Sequence, residues 1–219
     1  MNSEIISLNP AREHEEVGRI PCTTAEQISA AVLAAKDAAP AWRRMAIEDR
    51  CVYVDRFREL LEAHAGEVAE LQSKEMGKPI SESHQELVSA LRFLKNQTEK
   101  AAKLLAPKIL DSYSTHKTVA CYEPYGVAAV ITPWNFPTGQ FVANSSQTLL
   151  AGNAVILKHS EECVLTSKLL ASLIEEAQLP KGVFQVLYGD RDVGEALFQY
   201  YVNVIHFTVS SAVGKEIYR

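Results

Sequence analysis

The apolar residues that follow Thr24 recur every three or four positions, which is the period of a helix with one buried face. Thr24 and Gln27 have the spacing of a capping box, so this helix is expected to begin beside Thr24. Pro40 would break the pattern, and the helix is expected to end at about Ala39. The preceding residues 1–22 lack this period and are expected to form an extended arm with turns.

Two further apolar stripes predict more helices. The stripe from Ile47 to Leu71 is expected to form a helix and a further helical turn. Gly77 is expected to stop it, since glycine readily adopts the left-handed conformation of a helix end. The next helix is expected from about Ser81 to Leu104. Its inward side would carry Leu87, Leu91 and Leu94.

The pattern changes in the second half of the chain. The polar segment Ser112–Cys121 is expected to be an extended strand or loop, and short apolar runs then alternate with helical stretches. The apolar runs are Val127–Thr132, Ala154–Leu157, Val183–Leu187 and Val204–Phe207. The helical stretches are about Gly139–Leu150, Val164–Ala177 and Val193–Tyr200, with a last one beginning in Ser211–Arg219. This alternation predicts an α/β fold in which a parallel sheet has helices on both faces.

Composition and charge narrow the classes of function. The 219 residues, 47% of them hydrophobic, suffice for one large domain or a domain with an appendage. The net charge of −5, with mixed signs, gives no reason to expect nucleic-acid binding. The chain shows no secretory signal and no apolar stretch long enough to cross a membrane. The four cysteines lie far apart without zinc-binding spacing, which is typical of reduced thiols in a cytoplasmic protein.

The most distinctive stretch is Ile131-Thr132-Pro133-Trp134-Asn135-Phe136-Pro137, between a predicted strand and a predicted helix. Ligands of open parallel sheets bind beyond the carboxyl ends of the strands. Asn135 could donate its amide N–H to a developing oxyanion, which is typically worth ~2.7–4 kcal/mol of transition-state stabilisation. Alternatively, Trp134 and Phe136 fill the core and Asn135 caps the next helix. Local chemistry favours the two interpretations about equally.

Several motifs together resemble a known family. The runs ITPWNFP, LLAGNAVILKHSE and HFTVSSAVGKEI, with KEMGKPISES and YEPYGVAAVITPW before them, are similar to motifs of the aldehyde dehydrogenase superfamily in the same order. The resemblance begins at about Leu8. It implies a Rossmann-like domain and oxidation of an aldehyde to a carboxylic acid with NAD, or with NADP, as cofactor. The stretch Glu75–Pro79 is most similar to the semialdehyde-oxidising branch, which includes succinate semialdehyde dehydrogenases.

The resemblance assigns roles to the loop after the first apolar run. Asn135 would provide the oxyanion-hole amide. The preceding residues would line the pyrophosphate and nicotinamide side of the cofactor cleft; they are Ile131, Thr132, Pro133 and Trp134.

A second motif, Lys158-His159-Ser160-Glu161, stands where the family has Lys-Pro-Ser-Glu. The resemblance implies that Lys158 and Glu161 hydrogen-bond the adenosine ribose and that Ser160 belongs to the same binding site. A carboxylate there favours NAD, because it repels a 2′-phosphate. The alternative for this tetrapeptide alone is a solvated lysine and a helix capped by Ser160. His159 is expected to cost loop rigidity and to have no catalytic role.

The resemblance also implies cofactor contacts after the last two strands. Gly189 would let the backbone approach the adenine. Alternatively, Gly189 only forms the turn before the next helix. Ser210 would bond a phosphate oxygen at a helix N-terminus, and Val213 would border the adenine pocket. Val209 stands where the family usually has glycine, so it is expected to narrow the nicotinamide side of the cleft.

Aldehyde oxidation in this family needs a cysteine nucleophile and a glutamate base. The family patterns around them, Glu-Leu-Gly-Gly and Gly-Gln-x-Cys, do not occur in the 219 residues. The catalytic domain is therefore expected to be absent and the chain inactive alone. Cys51 is expected in the core, and Cys163 opens a helix whose dipole could lower its pKa.

The expected organisation has three parts. Residues 1–106 form the arm and the helical part of the cofactor domain, residues 107–123 an extended oligomerisation segment, and residues 124–219 the Rossmann-like NAD-binding part. The expected partners of the complete enzyme are an aldehyde substrate and further copies of the chain. The alternatives are a catalytically inactive dinucleotide-binding or interaction fragment, and a fold fragment without cofactor binding.

Overall fold

The structure is a computed structural model that describes residues 3–208 and 214–215. Its first elements are β1 (Glu4–Asn9), β2 (Glu15–Pro21), α1 (Ala25–Arg44), α2 (Ile47–Ala63), α3 (Ala65–Met76) and α4 (Ile80–Leu105). A hairpin of β3 (Lys108–Ser112) and β4 (Lys117–Ala120) follows. The remaining elements are β5 (Val127–Thr132), α5 (Pro137–Leu150), β6 (Ala154–His159), α6 (Val164–Glu176), β7 (Phe184–Leu187), α7 (Arg191–Phe198) and β8 (Val204–Phe207).

The last four strands form one parallel sheet in the order β7-β6-β5-β8. Every residue of β5 and β6 is buried, as the continuous apolar runs predicted. Ala128 and Val130 of β5 belong to a core cluster with α2, α4, α5 and α6, whereas Val127 and Ala129 pack with α1 and α7. The predicted α/β fold, with helices on both faces of a parallel sheet, is therefore confirmed.

Helix α1 begins as predicted but ends later. The capping box is present: Gln27 N–H donates to Thr24 Oγ1 at 3.3 Å, and Thr24 N–H donates to Gln27 Oε1 at 2.8 Å. The predicted break at Pro40 is wrong, because the helix continues through it to Arg44. Trp42 is 1% exposed and its Nε1–H donates to the carbonyl oxygen of Leu149 at 3.0 Å. Tertiary packing of this last turn therefore outweighs the backbone hydrogen bond that a proline removes.

The helices predicted between Ile47 and Leu104 are confirmed. The apolar stripe from Ile47 to Leu71 spans α2 and α3. Gly77 ends α3 in the left-handed conformation, with φ of +67°. Leu87 and Leu94 of α4 are fully buried, and Leu91 lies partly buried against the same core.

Two antiparallel hairpins flank this core. The N-terminal arm is extended as expected and folds back on itself, with Glu4 of β1 opposite Pro21 of β2. The second hairpin, β3–β4, is exposed along almost its whole length. Ile109 and Leu110 of β3 are 63% and 66% exposed, so this hairpin presents apolar side chains to its surroundings.

Of the helix expected within Ser211–Arg219, only residues 214–215 are described, and both are helical. Within the described part of the chain, none of the helices combines the length and apolarity that crossing a bilayer requires. The division into parts at residues 106 and 123 stays a prediction.

Candidate functional site

The register of the sheet places the ends of its strands side by side. Ile131 of β5 pairs with Lys158 of β6 on one side and with Phe207 of β8 on the other, and Lys158 pairs with Leu187 of β7. The chain forms β5, then β6 beside it and β7 beyond β6. It then crosses back to form β8 on the opposite side of β5. In sheets of this kind, ligands bind in the crevice at that reversal, beyond the carboxyl ends of the strands.

The loop between β5 and α5 presents its side chains outward. Trp134 and Phe136 are 54% and 55% exposed, and Asn135 is exposed between them. The first residue of α5 is Pro137, and the cap residue before it, Phe136, provides no side-chain cap. The alternative in which the two aromatic rings fill the core and Asn135 caps the helix is therefore wrong. Asn135 is thus exposed and does not cap α5.

The first turn of α5 is held instead by residues from two earlier helices. Gln72 of α3 accepts hydrogen bonds through Oε1 from Thr138 Oγ1 at 2.6 Å and from Thr138 N–H at 3.4 Å. Glu86 of α4 accepts one from Gly139 N–H at 2.8 Å. A carboxylate at a helix N-terminus also interacts favourably with the helix dipole. These groups occupy the N–H donors that would otherwise be able to bind a phosphate at this helix.

Lys78 links the same carboxylate to the loop. Its ammonium group donates to Glu86 Oε2, and it lies 5.4 Å from the centre of the Phe136 ring. Gln72 Nε2 also donates to Glu86 Oε2, at 2.9 Å. The roles of Gln72, Lys78 and Glu86 were not predicted, because the local sequence does not show where the partner of a polar helix residue will lie.

Helix α6 is capped in the same way. Glu75 of α3 accepts hydrogen bonds from Leu165 N–H at 2.9 Å, Thr166 N–H at 2.6 Å and Ser7 Oγ at 2.8 Å. Burial raises the pKa of Glu75 even though these donors favour the ionised form. In both α5 and α6, a carboxylate from an earlier helix therefore accepts hydrogen bonds from N–H groups of the first turn.

Lys158 and Glu161 form an ion pair at the end of β6. Lys158 Nζ lies 3.0 Å from Glu161 Oε2, and the two side chains are 7% and 40% exposed. The alternative of a solvated lysine is therefore wrong. Ser160 does cap the short 3₁₀ turn Glu161–Cys163, since its Oγ accepts from Glu162 N–H at 3.4 Å. The Lys158 ammonium group can donate a hydrogen bond and the partly exposed Glu161 carboxylate can accept one. Two neighbouring hydroxyl groups of a ligand could therefore bind to this pair.

His159 is held on both sides of its ring, and the expected cost in loop rigidity stays a prediction. Its ring is buried between β5 and α5, with Nδ1 2.7 Å from Thr132 Oγ1 and Nε2 3.1 Å from the carbonyl oxygen of Pro137. Burial lowers its pKa from the usual 6.5 to about 4. The ring therefore adds contacts between two elements at the edge of the site.

Gly189 has a packing reason to be glycine. A Cβ at this position would lie 2.1 Å from Cγ2 and 2.5 Å from Cβ of Val193 on α7. The loop after β7 can approach α7 only without a side chain there. Close approach of Gly189 to an adenine stays a prediction.

The cysteines of the chain are free thiols, and Cys163 is fully buried. Burial raises the pKa of Cys163 well above its usual value, with a further contribution from the nearby Glu75. The expectation that a helix dipole lowers this pKa is wrong. Cys51 lies partly buried against Thr98, as expected of a core position.

Three residues with predicted roles lie outside the described part of the chain; they are Val209, Ser210 and Val213. Within residues 3–208, no cluster of side chains has the composition of a metal site.

The comparisons with known proteins agree with one another. The model of the aldehyde dehydrogenase family matches residues 1–219. The chain is 31% identical over 218 residues to glutarate-semialdehyde dehydrogenase of Pseudomonas aeruginosa, covering 99% of this chain and 45% of that protein. It is 29% identical to an NADP⁺-dependent succinate-semialdehyde dehydrogenase of Escherichia coli, again covering 99% of this chain and 45% of that protein. The chain thus spans just under half the length of these relatives.

Solved structures show the same partial match. An NADP-dependent enzyme of E. coli superimposes with a TM-score of 0.91 at 30% identity, covering 98% of this chain and 45% of that chain. PnpE in complex with nicotinamide adenine dinucleotide superimposes with a TM-score of 0.90 at 29% identity, covering 98% of this chain and 44% of that chain. The similarity therefore extends over almost the whole fold of this chain.

Proposed function

The chain belongs to the aldehyde dehydrogenase family, and we propose that it forms the cofactor-binding part of an enzyme that oxidises an aldehyde to a carboxylic acid with NAD or NADP. One observation carries this proposal. The exposed Trp134–Asn135 loop and the Lys158–Glu161 pair follow neighbouring strands and open at the same edge of the sheet. A dinucleotide spans such an edge, with its two halves bound by different loops.

The residues present fit such a cofactor. The Lys158–Glu161 pair can donate to and accept from the adenosine ribose hydroxyls, and Ser160 lies between the two. The segment from Ile131 through Thr132 and Pro133 to Trp134 would line the pyrophosphate and nicotinamide side of the cofactor. The bound cofactor would supply the hydride acceptor.

Asn135 is proposed to stabilise the oxyanion. Its side chain is exposed and takes no part in capping α5. An amide N–H aimed at a developing negative charge stabilises the transition state, provided that the protein holds the donor in place beforehand. Gln72 and Glu86 hold the first turn of α5, which directly follows this loop, and this supports the proposal.

The substrate and the partners are proposed from the relatives. Several of them are named as semialdehyde dehydrogenases, so we propose a semialdehyde such as succinate semialdehyde. The exposed β3–β4 hairpin supports a homo-oligomer, because an isolated two-stranded hairpin is marginally stable in water. The free thiols support a cytoplasmic compartment, where cysteines stay reduced.

Titration of the 219-residue chain with NADH tests the proposal. For the unaltered chain, the change in NADH fluorescence is expected to saturate below millimolar cofactor. Lys158→Met is expected to weaken NADH binding about tenfold, because it removes a charged hydrogen bond. Lys168→Met, at an exposed lysine on α6, is the matched control and should bind as the unaltered chain does. A lack of saturation at millimolar NADH would leave the alternative of a fragment that binds no cofactor.

Replacing Glu161 by Gln is expected to shift cofactor preference. Loss of the carboxylate removes repulsion of a 2′-phosphate, so the ratio of NADPH to NADH affinity should rise about three- to tenfold. Competitive titration with both cofactors measures this ratio. Glu162→Gln removes the same charge one residue away, at an exposed position, and serves as the control. Equal shifts in both variants would show a general charge effect and contradict a direct contact of Glu161 with the ribose.

A further inference from the structure

The ring of His159 joins the two ends of the loop that carries Trp134 and Asn135. Its Nδ1 lies 2.7 Å from Oγ1 of Thr132, the last residue of β5. Its Nε2 lies 3.1 Å from the carbonyl oxygen of Pro137, the first residue of α5. Residues 133–136 run from one contact to the other, so one side chain bridges the whole loop.

The partners of the ring determine where its proton lies. A carbonyl oxygen can only accept, so Nε2 carries the proton and donates to Pro137. Nδ1 then accepts from the hydroxyl of Thr132. The carbonyl oxygen of Thr132, 3.3 Å from Nδ1, instead accepts the N–H of Ser160 at 3.0 Å. A neutral ring in this tautomer makes both bridging bonds at once, and the lowered pKa of His159 agrees with a neutral ring.

The surroundings keep this bridge away from water. His159 and Thr132 are 3% and 2% exposed. The ring of Phe141 packs edge-on against the imidazole, with 6.2 Å between centroids and 61° between planes. Hydrogen bonds are stronger where water does not compete for their donors and acceptors. The anchor is therefore buried although the loop that it spans is exposed.

We propose that His159 is a positioning residue, which sets the conformation of the loop carrying Trp134 and Asn135 by bonding Thr132 and Pro137 at once. This inference rests on the proposed function, since that function gives the conformation of the loop its importance. Because His159 is only 3% exposed, it would act through the loop and not by direct contact with substrate or cofactor.

Trp134 reports directly on this loop. The chain has two tryptophans, of which Trp42 is 1% exposed and bonded to Leu149, while Trp134 is 54% exposed. Acrylamide quenching and nanosecond anisotropy decay therefore distinguish the two. His159→Ala removes both bridging bonds and is expected to increase the fast depolarisation of Trp134 about twofold. NADH affinity is expected to fall about tenfold in the same variant.

Two conservative variants test the bridge itself. The amide of Asn ends near the position of Nδ1 and that of Gln near Nε2, so His159→Asn can retain the bond to Thr132 and His159→Gln the bond to Pro137. Each variant is expected to bind NADH more tightly than His159→Ala and to show less fast depolarisation of Trp134. They also keep the test decisive if His159→Ala does not fold. A loss of thermal stability with unchanged Trp134 anisotropy and unchanged NADH affinity would overturn the proposal and leave only a structural role.

The two readouts separate this inference from the proposed function. If the unaltered chain binds no NADH, the proposed function fails. The anisotropy of Trp134 still decides on the bridge in that case. If the unaltered chain binds NADH and all three variants match it in both NADH affinity and Trp134 anisotropy, the proposed function stands and the positioning role of His159 is wrong.

Discussion

Replacing Glu86 by alanine is expected to lower the free energy of unfolding by about 3–5 kcal/mol. The carboxylate is 5% exposed and accepts from Lys78, Gln72 and Gly139 N–H. Its removal leaves the largely buried ammonium of Lys78 without its partner and takes the capping acceptor from the first turn of α5. Urea denaturation followed by circular dichroism measures the change.

Matched variants identify the cause of this loss. Glu99→Ala on the same helix removes an exposed carboxylate, 3.9 Å from Lys95, and should change stability by less than about 0.5 kcal/mol. The double variant Lys78→Met with Glu86→Gln removes the charged pair but keeps an acceptor for Gly139, so it should be more stable than Glu86→Ala. A loss in Glu86→Ala no larger than that in Glu99→Ala would show that the buried pair contributes little.

The periodicity of the sequence was sufficient for the architecture because each element carries its own signal. The wholly apolar run of β5 requires burial on both faces, and Gly77 adopts the conformation that only glycine takes easily. Pro40 shows the limit of such local rules, since burial of Trp42 two residues later keeps the helix intact. Tertiary packing overrides the local tendency of proline to end a helix, and this packing cannot be read from the neighbouring residues.

The candidate site was predictable only in part. The Asn135 loop and the Lys158–Glu161 pair could be located from their motifs and from the strands that precede them. The groups that hold the loop could not, because Gln72 and Glu86 reach α5 from 66 and 53 residues away in the chain. The contacts of His159 could not be predicted for a related reason. Its effect depends on an acceptor, Pro137, and a donor, Thr132, that come together only in the folded sheet.

The protein is expected to lose about 2 kcal/mol of stability between about pH 7.5 and pH 5 through His159 alone. Its pKa is about 4 when folded, against the usual 6.5. Between these two values the unfolded chain binds a proton that the folded chain does not, so stability falls as the pH falls. Protonation would also place a second donor on Nδ1, which accepts from the Thr132 hydroxyl in the neutral ring.

His159→Gln isolates this contribution, because glutamine does not titrate. Urea denaturation across the same pH range should give a curve for the variant that is flatter by about 2 kcal/mol, whatever its absolute stability. Glu75 acts in the opposite direction, since its raised pKa favours the folded state as the pH falls, but it is present in both proteins. Parallel curves for the two proteins would mean that His159 is protonated alike in both states. Burial would then not disfavour the charged imidazole, contrary to the lowered pKa of His159.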